Sequence, residues 1–133
     1  DILGGLDDAD LPDFFSSIRA LVVPYGARSP YGEAFPGSSV VNDAIAHLTP
    51  VVCTGHGALA ELRSEGGAVV VDEEGCTPEV LVEELAAAAT ALVGSPDRLS
   101  VMVNALRRMR EVRQPDAVVD TYLTTWSGVL CRR

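Results

Sequence analysis

The sequence predicts an α/β fold in which a parallel sheet carries helices on both faces, and three observations support this prediction. Three short, continuously apolar segments, residues 20–24, 51–53 and 68–71, have the pattern of strands that are covered on both sides. Segments with helical periodicity alternate with these strands along the chain. A loop rich in Gly, Pro and Ser, residues 25–39, follows the first strand and leads into a helix. This order is that of half a doubly wound α/β domain.

The helices are predicted from their start and stop signals. Pro12 follows two acidic residues and suits the first turn of a helix, and Thr77 followed by Pro78 has the pattern of an N-cap and first helical residue. Pro50 ends the helix that precedes the second strand, and Pro96 interrupts the helical pattern near the C-terminus. The predicted helices are residues 11–18, 38–48, 58–64, 77–93, 97–110 and 116–129.

Length and composition indicate one domain. A chain of 133 residues with 47% apolar residues can form a single core, and we treat residues 1–133 as one partial domain. Three strands make a small sheet with an apolar edge, so a missing N-terminal part or a partner chain is expected to complete it. The aromatic residues Phe14, Phe15, Tyr122 and Trp126 are predicted to lie in the core.

Charge and cysteine usage argue against several classes of function. A net charge of -9 disfavours nucleic acid and anionic membranes as partners, and the apolar runs are too short to span a bilayer. Three widely spaced cysteines form neither a disulfide framework nor a zinc motif, so no metal or other cofactor is expected and a cytoplasmic location is predicted. The chain also lacks a nucleophile elbow, a GxGxxG pattern and a Walker A pattern.

Two carboxylates lie close together in the sequence, around the loop at residues 25–39. Glu33 lies in this loop and Asp43 lies on the helix that follows it, an arrangement that suits a phosphorylated sugar or a nucleotide. Ser38 and Ser39 stand at the helix N-terminus, and His56 follows the second strand, where open α/β sheets bind ligands. Simpler interpretations remain open: both acids as solvated side chains, the serines as ordinary caps, and the histidine as a solvated loop residue.

Several motifs resemble those of one enzyme family. Glu33-Ala-Phe resembles a Glu-(Gly/Ala)-Phe motif, and Asp43-Ala-Ile-Ala followed by Thr49-Pro-Val-Val resembles Glu-Ala-Met-Ala followed by Gly-Thr-Pro-Val-Val. Residues 57–61, Gly-Ala-Leu-Ala-Glu, resemble the Gly-Gly-x-Pro-Glu that comes next. These motifs, in this order, are those of the donor-binding C-terminal domain of retaining GT-B glycosyltransferases, in particular glycosyltransferase family 4.

The resemblance implies a Rossmann-like, three-layer fold and a role for each candidate residue. Glu33 would be the catalytic residue that faces the donor sugar. Backbone N–H groups of Ser38, Ser39 and Val40 would bind the diphosphate, and Asp43 would bind the ribose hydroxyls. The chain departs from the family in having Asp rather than Glu at position 43, and in placing its two acids ten rather than eight positions apart.

The expected function is therefore donor binding within a larger enzyme. The family's C-terminal domain normally contains a basic pair that neutralises the donor diphosphate, and a separate N-terminal domain binds the acceptor. Neither is recognisable in this sequence, so we expect the chain alone to be inactive. The expected reaction is transfer of a sugar, with retention, from a nucleotide-diphosphate sugar to an unknown acceptor. The alternative is a noncatalytic α/β module that binds a sugar nucleotide or is completed by a partner chain.

Overall fold

The centre of the molecule is a three-stranded parallel sheet. The structure is a computed structural model that describes residues 4–26 and 38–130. Strands β1 (Leu21–Val23), β2 (Val51–Thr54) and β3 (Ala68–Val71) lie side by side in that order. Val51 of β2 pairs with Leu21 on one side and with Ala68 on the other. The predicted parallel sheet is thereby confirmed.

The described part of the chain contains six α-helices, and all but the shortest begin within one residue of a predicted start. The side chains of Ser38, Thr77 and Ser95 cap α2, α4 and α5 by accepting a backbone N–H. The predicted helix at residues 58–64 is instead a 3₁₀ helix that continues into a short α-helix. The helices are α1 (Leu11–Ser17), α2 (Ser39–Ala46), the 3₁₀ helix (Gly57–Glu61), α3 (Leu62–Glu65), α4 (Pro78–Val93), α5 (Pro96–Val112) and α6 (Pro115–Leu130).

Side chains of the central strand alternate between two hydrophobic clusters, one on each face of the sheet. Val51 and Cys53 point into one cluster and Val52 into the other, as the two-residue period of a strand requires. The first cluster is closed by α1, α2, α3 and the C-terminal half of α5, and the second by α4 and the N-terminal half of α5. Helices therefore cover both faces of the sheet. Phe15 is buried and Phe14 packs beside it, as predicted.

The prediction that Tyr122 and Trp126 belong to the core is wrong. Their relative exposures in α6 are 64% and 66%. Helical periodicity shows that one side of α6 is apolar, but it does not show that this chain covers that side. In the structure the apolar side of α6 faces away from the sheet.

The C-terminus of α2 is held by a left-handed residue that is not glycine. Helix α2 ends at Ala46, two residues before the predicted end, and Leu48 has a φ of 59°. The Leu48 N–H donates to the Ile45 carbonyl at 3.1 Å, and the Thr49 N–H donates to the Ala44 carbonyl at 2.8 Å. This is the Schellman pattern, in which glycine is usual at the left-handed position. The turn leads through Pro50 into β2.

Leu48→Gly is expected to be more stable than Leu48→Ala by about 1 kcal/mol, because both remove the side chain but only glycine adopts a positive φ without strain. Chemical denaturation followed by circular dichroism would measure the difference. The same pair of substitutions at exposed Val82, within α4, is the control, and there alanine should be the more stable by about 1 kcal/mol. If the alanine variant is the more stable at position 48 as well, the positive φ of this residue does not strain the backbone as we infer.

Candidate functional site at the carboxyl edge of the sheet

The carboxyl ends of the three strands lie at one edge of the sheet because the strands are parallel. Tyr25 follows β1, His56 follows β2 and Glu73 follows β3. Helix α2 is the next described element after β1, and its N-cap Ser38 contacts Tyr25, so the N-terminus of α2 lies at the same edge. Ligands of open α/β sheets bind at edges of this kind, so we take this edge as the candidate site.

Ser38 is the N-cap of α2, the simpler of the two interpretations that the sequence left open for it. Its Oγ accepts the Val41 N–H at 3.3 Å and lies 3.1 Å from the Tyr25 hydroxyl. The first backbone bond of the helix runs from the Asn42 N–H to the Ser38 carbonyl, so the amides of Ser39 and Val40 precede the helical hydrogen-bond ladder. Ser39 and Val40 are both exposed. Amides at such a position attract anions.

Asp43 lies on the side of α2 that turns away from the core. It is half-buried and stands one turn after Ser39, on the same side of the helix. The buried residues of α2 are Val41, Ala44 and Ile45, which form the opposite side. The structure therefore places a carboxylate one turn beyond the amides of Ser39 and Val40.

A chain of contacts joins the N-terminus of α2 to the loop after β2. The Tyr25 hydroxyl contacts Ser38, while the Tyr25 carbonyl accepts a short hydrogen bond from Thr54 Oγ1. Thr54 is fully buried at the end of β2 and lies two residues before His56. The burial of Thr54 and its hydrogen bond to Tyr25 therefore fix the end of β2, two residues before His56.

His56 is paired with an acid from the next loop. Its Nδ1 lies 2.6 Å from Glu73 Oε1, and the two side chains are 12% and 26% exposed. The loop after β3 is held by Arg63, whose Nη2 contacts Asp72 Oδ1 at 2.5 Å and donates to the Val70 carbonyl at 3.3 Å. A histidine held in this way has a fixed ring orientation.

Three residues of this edge were not found from the sequence: Tyr25, Thr54 and Glu73. Each stands at or just after the end of a strand, and this position is the signal that could have identified them. Glu33 lies outside the described residues. The structure therefore brings together Ser38, Ser39, Val40 and Asp43 on α2 and connects His56 to this helix through Tyr25 and Thr54.

A second cleft lies on the side of α2 opposite Asp43. It has a volume of about 160 Å³ and lies between α2, the 3₁₀ helix, α3 and the end of α5. Arg113 Nη2 contacts Glu65 at 2.9 Å, and Arg113 Nη1 donates to Asn42 Oδ1 at 3.3 Å. Pockets for drug-sized ligands hold about 300–1,000 Å³, so this cleft is too small for a nucleotide. Ser38, the N-cap of α2, lines this cleft, whereas Asp43 does not.

The remaining chemistry of the described residues is limited. Burial raises the pKa of the Cys53 thiol to about 11, despite the opposing charge of Arg63, so this thiol is protonated at neutral pH and a poor nucleophile. Across residues 4–26 and 38–130 there is no cluster of three or more His, Cys, Asp or Glu side chains that could hold a metal ion. No helix in this part of the structure is long and apolar enough to cross a membrane.

Fold and site define the chain as an α/β domain with a parallel sheet, compatible with a Rossmann-like fold. Comparison with known proteins assigns it no family: no family model, curated protein or solved structure matches the chain. The likeness to glycosyltransferases thus rests on the sequence motifs alone.

Proposed function

We propose that the chain is the donor-binding part of a retaining glycosyltransferase and binds a nucleotide-diphosphate sugar within a larger enzyme. One observation carries the proposal. The capped N-terminus of α2 follows β1 in the chain, and Asp43 lies one turn beyond the exposed residues Ser39 and Val40, whose amides precede the helical hydrogen-bond ladder. Such amides can bind a diphosphate, and a carboxylate can accept hydrogen bonds from ribose hydroxyls.

In this proposal each group acts by binding or by electrostatics. The Ser39 and Val40 amides receive a diphosphate oxygen, aided by the positive end of the α2 dipole. Asp43 accepts hydrogen bonds from the two ribose hydroxyls. Glu33 faces the sugar at the reacting carbon. Residues of the rest of the enzyme neutralise the diphosphate and bind the acceptor. These residues would supply the remaining stabilisation of the transition state.

His56 would contact the donor from the loop after β2. Glu73 pairs with Nδ1 of the ring, which fixes the orientation of the imidazole. A ring fixed in this way contributes to binding with little loss of side-chain entropy, since its rotamer is set before the donor arrives.

Isothermal titration calorimetry of residues 1–133 with UDP, GDP and ADP tests the proposal. We expect one of the three to bind and Asp43→Asn to weaken it about tenfold or more, because hydrogen bonds to a charged group contribute about 1.5–3 kcal/mol. Glu84→Gln, on the exposed side of α4, makes the same change in net charge and should leave the affinity unchanged.

Two results would contradict donor binding by this chain. One is the absence of binding with all three nucleotides at millimolar concentration, in residues 1–133 and again after the rest of the enzyme is restored. The other is an equal loss of affinity in Asp43→Asn and Glu84→Gln, which would reveal an effect of net charge only. Loss of affinity in Glu33→Ala as well would support the assignment of that residue to the same site.

A second candidate function is a noncatalytic module that a partner chain completes, and the outer edge of β1 favours it. The Leu21 N–H donates at 2.9 Å to the carbonyl of Pro50, the residue before β2. The next N–H along β1, that of Val22, therefore points to the opposite edge of the strand, away from β2. No strand pairs with this edge among the described residues, and Val22 is 45% exposed. An added strand would bind here. The absence of binding to UDP, GDP and ADP in the calorimetric titration would favour this candidate over donor binding.

A further inference from the structure

Helix α6 exposes a continuous apolar surface, which we call the α6 stripe. Its members are between 38% and 66% exposed: Val118, Val119, Tyr122, Leu123, Trp126 and Val129. Over residues 115–129 the only side chain that is even half-buried is Ala117. The helix therefore contributes almost nothing to the two hydrophobic clusters of the domain.

The α6 stripe lies on the side of the helix that faces away from the domain. At 3.6 residues per turn its members span roughly 140° of the helix surface, and Ala117 lies on the opposite side. Val119, Tyr122, Trp126 and Val129 recur at spacings of three, four and three residues, the pattern of a seam between two helices. This spacing suits packing against a second helix.

The size of the stripe is sufficient for a specific contact. With aromatic side chains of 150–250 Å² each, the stripe exposes roughly 600 Å², at the upper end of the largest apolar patch on a typical monomer. Two such stripes packed together bury roughly 1,200 Å² in total, which reaches the range of specific protein interfaces.

We propose that the α6 stripe is a homodimer interface in which α6 of a second copy packs antiparallel. Asp116 and Asp120 lie in the N-terminal half of α6, and residues 121–129 carry no charge. A parallel pair would oppose these acids to the same acids of the second copy. An antiparallel pair places them against the uncharged half and aligns the helix dipoles favourably. The pair has the two-fold symmetry of most homodimers.

A membrane surface fits this helix poorly. Helices that lie on membranes carry Lys and Arg on the polar side. Residues 115–129 contain neither and include two aspartates, in a chain whose net charge is -9. An anionic lipid surface would repel this helix, whereas a second copy meets only its apolar side.

Sedimentation equilibrium of residues 1–133 tests the interface. We expect a dimer whose dissociation constant rises at least about 30-fold in Trp126→Lys, the effect of removing a central tryptophan. Thr124→Lys adds the same charge to the opposite side of α6 and should leave the dimer intact. Circular dichroism would verify that both variants fold. A monomeric wild-type chain, or equal effects of the two lysines, would overturn the proposal.

Disulfide cross-linking tests the antiparallel orientation, in a background with Cys76→Ser and Cys131→Ser. Antiparallel packing brings Val119 to the partner's Val129 and Tyr122 to the partner's Trp126. A mixture of Val119→Cys and Val129→Cys chains should therefore form the mixed disulfide, while neither variant alone cross-links. Efficient cross-linking of Val129→Cys by itself would show a parallel pair and overturn the antiparallel assignment.

Discussion

Leu106→Ala should lower the free energy of unfolding by about 2–5 kcal/mol, the largest effect that we expect from a single substitution. Leu106 is fully buried on α5 and belongs to the cluster that α1, α2 and α3 form over the sheet. Removal of its side chain leaves a cavity between α5 and β3, which the surrounding helices can fill only in part. Typical domains have a free energy of unfolding of about 5–15 kcal/mol, so a loss of this size is a large part of the total stability.

Circular dichroism during urea denaturation is the appropriate measurement. The single tryptophan, Trp126, is 66% exposed, so its fluorescence would report poorly on the core. Val101→Ala, on the exposed side of the same helix, should change stability by no more than about 0.5 kcal/mol. Leu106→Met keeps the volume and should cost less than about 1.5 kcal/mol. Equal effects of the three substitutions would show that α5 does not pack as described.

The strands and helix starts were predictable because local chemistry determines them. Residues 51–53 are continuously apolar and form the strand that is buried on both faces. Ser38 and Thr77 can each accept an N–H from the first turn of the following helix, and they do so in the structure. Such signals involve residues that are three or four positions apart, so a single sequence contains all the information.

The failures concern contacts between distant parts of the chain. The spacing of Tyr122 and Trp126 marks one side of α6 as apolar, but whether that side is covered depends on the path of the whole chain. His56 and Glu73 are 17 positions apart, and Arg113 and Glu65 are 48 apart. Pairing of this kind follows from the positions of the strands and helices and has no local sequence signal.

The candidate site was predictable in part for the same reason. Ser38, Ser39, Val40 and Asp43 belong to one helix, so their relative placement follows from helix geometry once the start of α2 is known. Tyr25, Thr54 and Glu73 come from three different strand ends, and only the parallel sheet brings them to one edge. The role of Glu33 stays a prediction, since the residue lies outside the described ranges.

Gly67→Ala should destabilise the domain by about 1–3 kcal/mol because α5 approaches the backbone of this residue closely. A Cβ atom at position 67 would lie 2.6 Å from Met109 Sδ and 2.8 Å from Leu106 Cδ2. Both side chains are buried and cannot move into solvent. The neighbouring glycine has a different role: Gly66 has a φ of 79°, and a Cβ there would meet only Ala105, at 3.5 Å.

A double-mutant cycle separates these two roles and tests the close approach directly. Met109→Val removes the sulfur and its methyl group, so Gly67→Ala should cost about 0.5 kcal/mol or more less in that background than in the wild type. Gly66→Ala is destabilising because of the left-handed backbone at this position. It should lower the free energy of unfolding by about 1 kcal/mol in both backgrounds. An unchanged cost of Gly67→Ala would show that the contact with Met109 does not contribute to it. The expected coupling would establish that contact between α5 and the start of β3 sets how closely this helix covers the sheet.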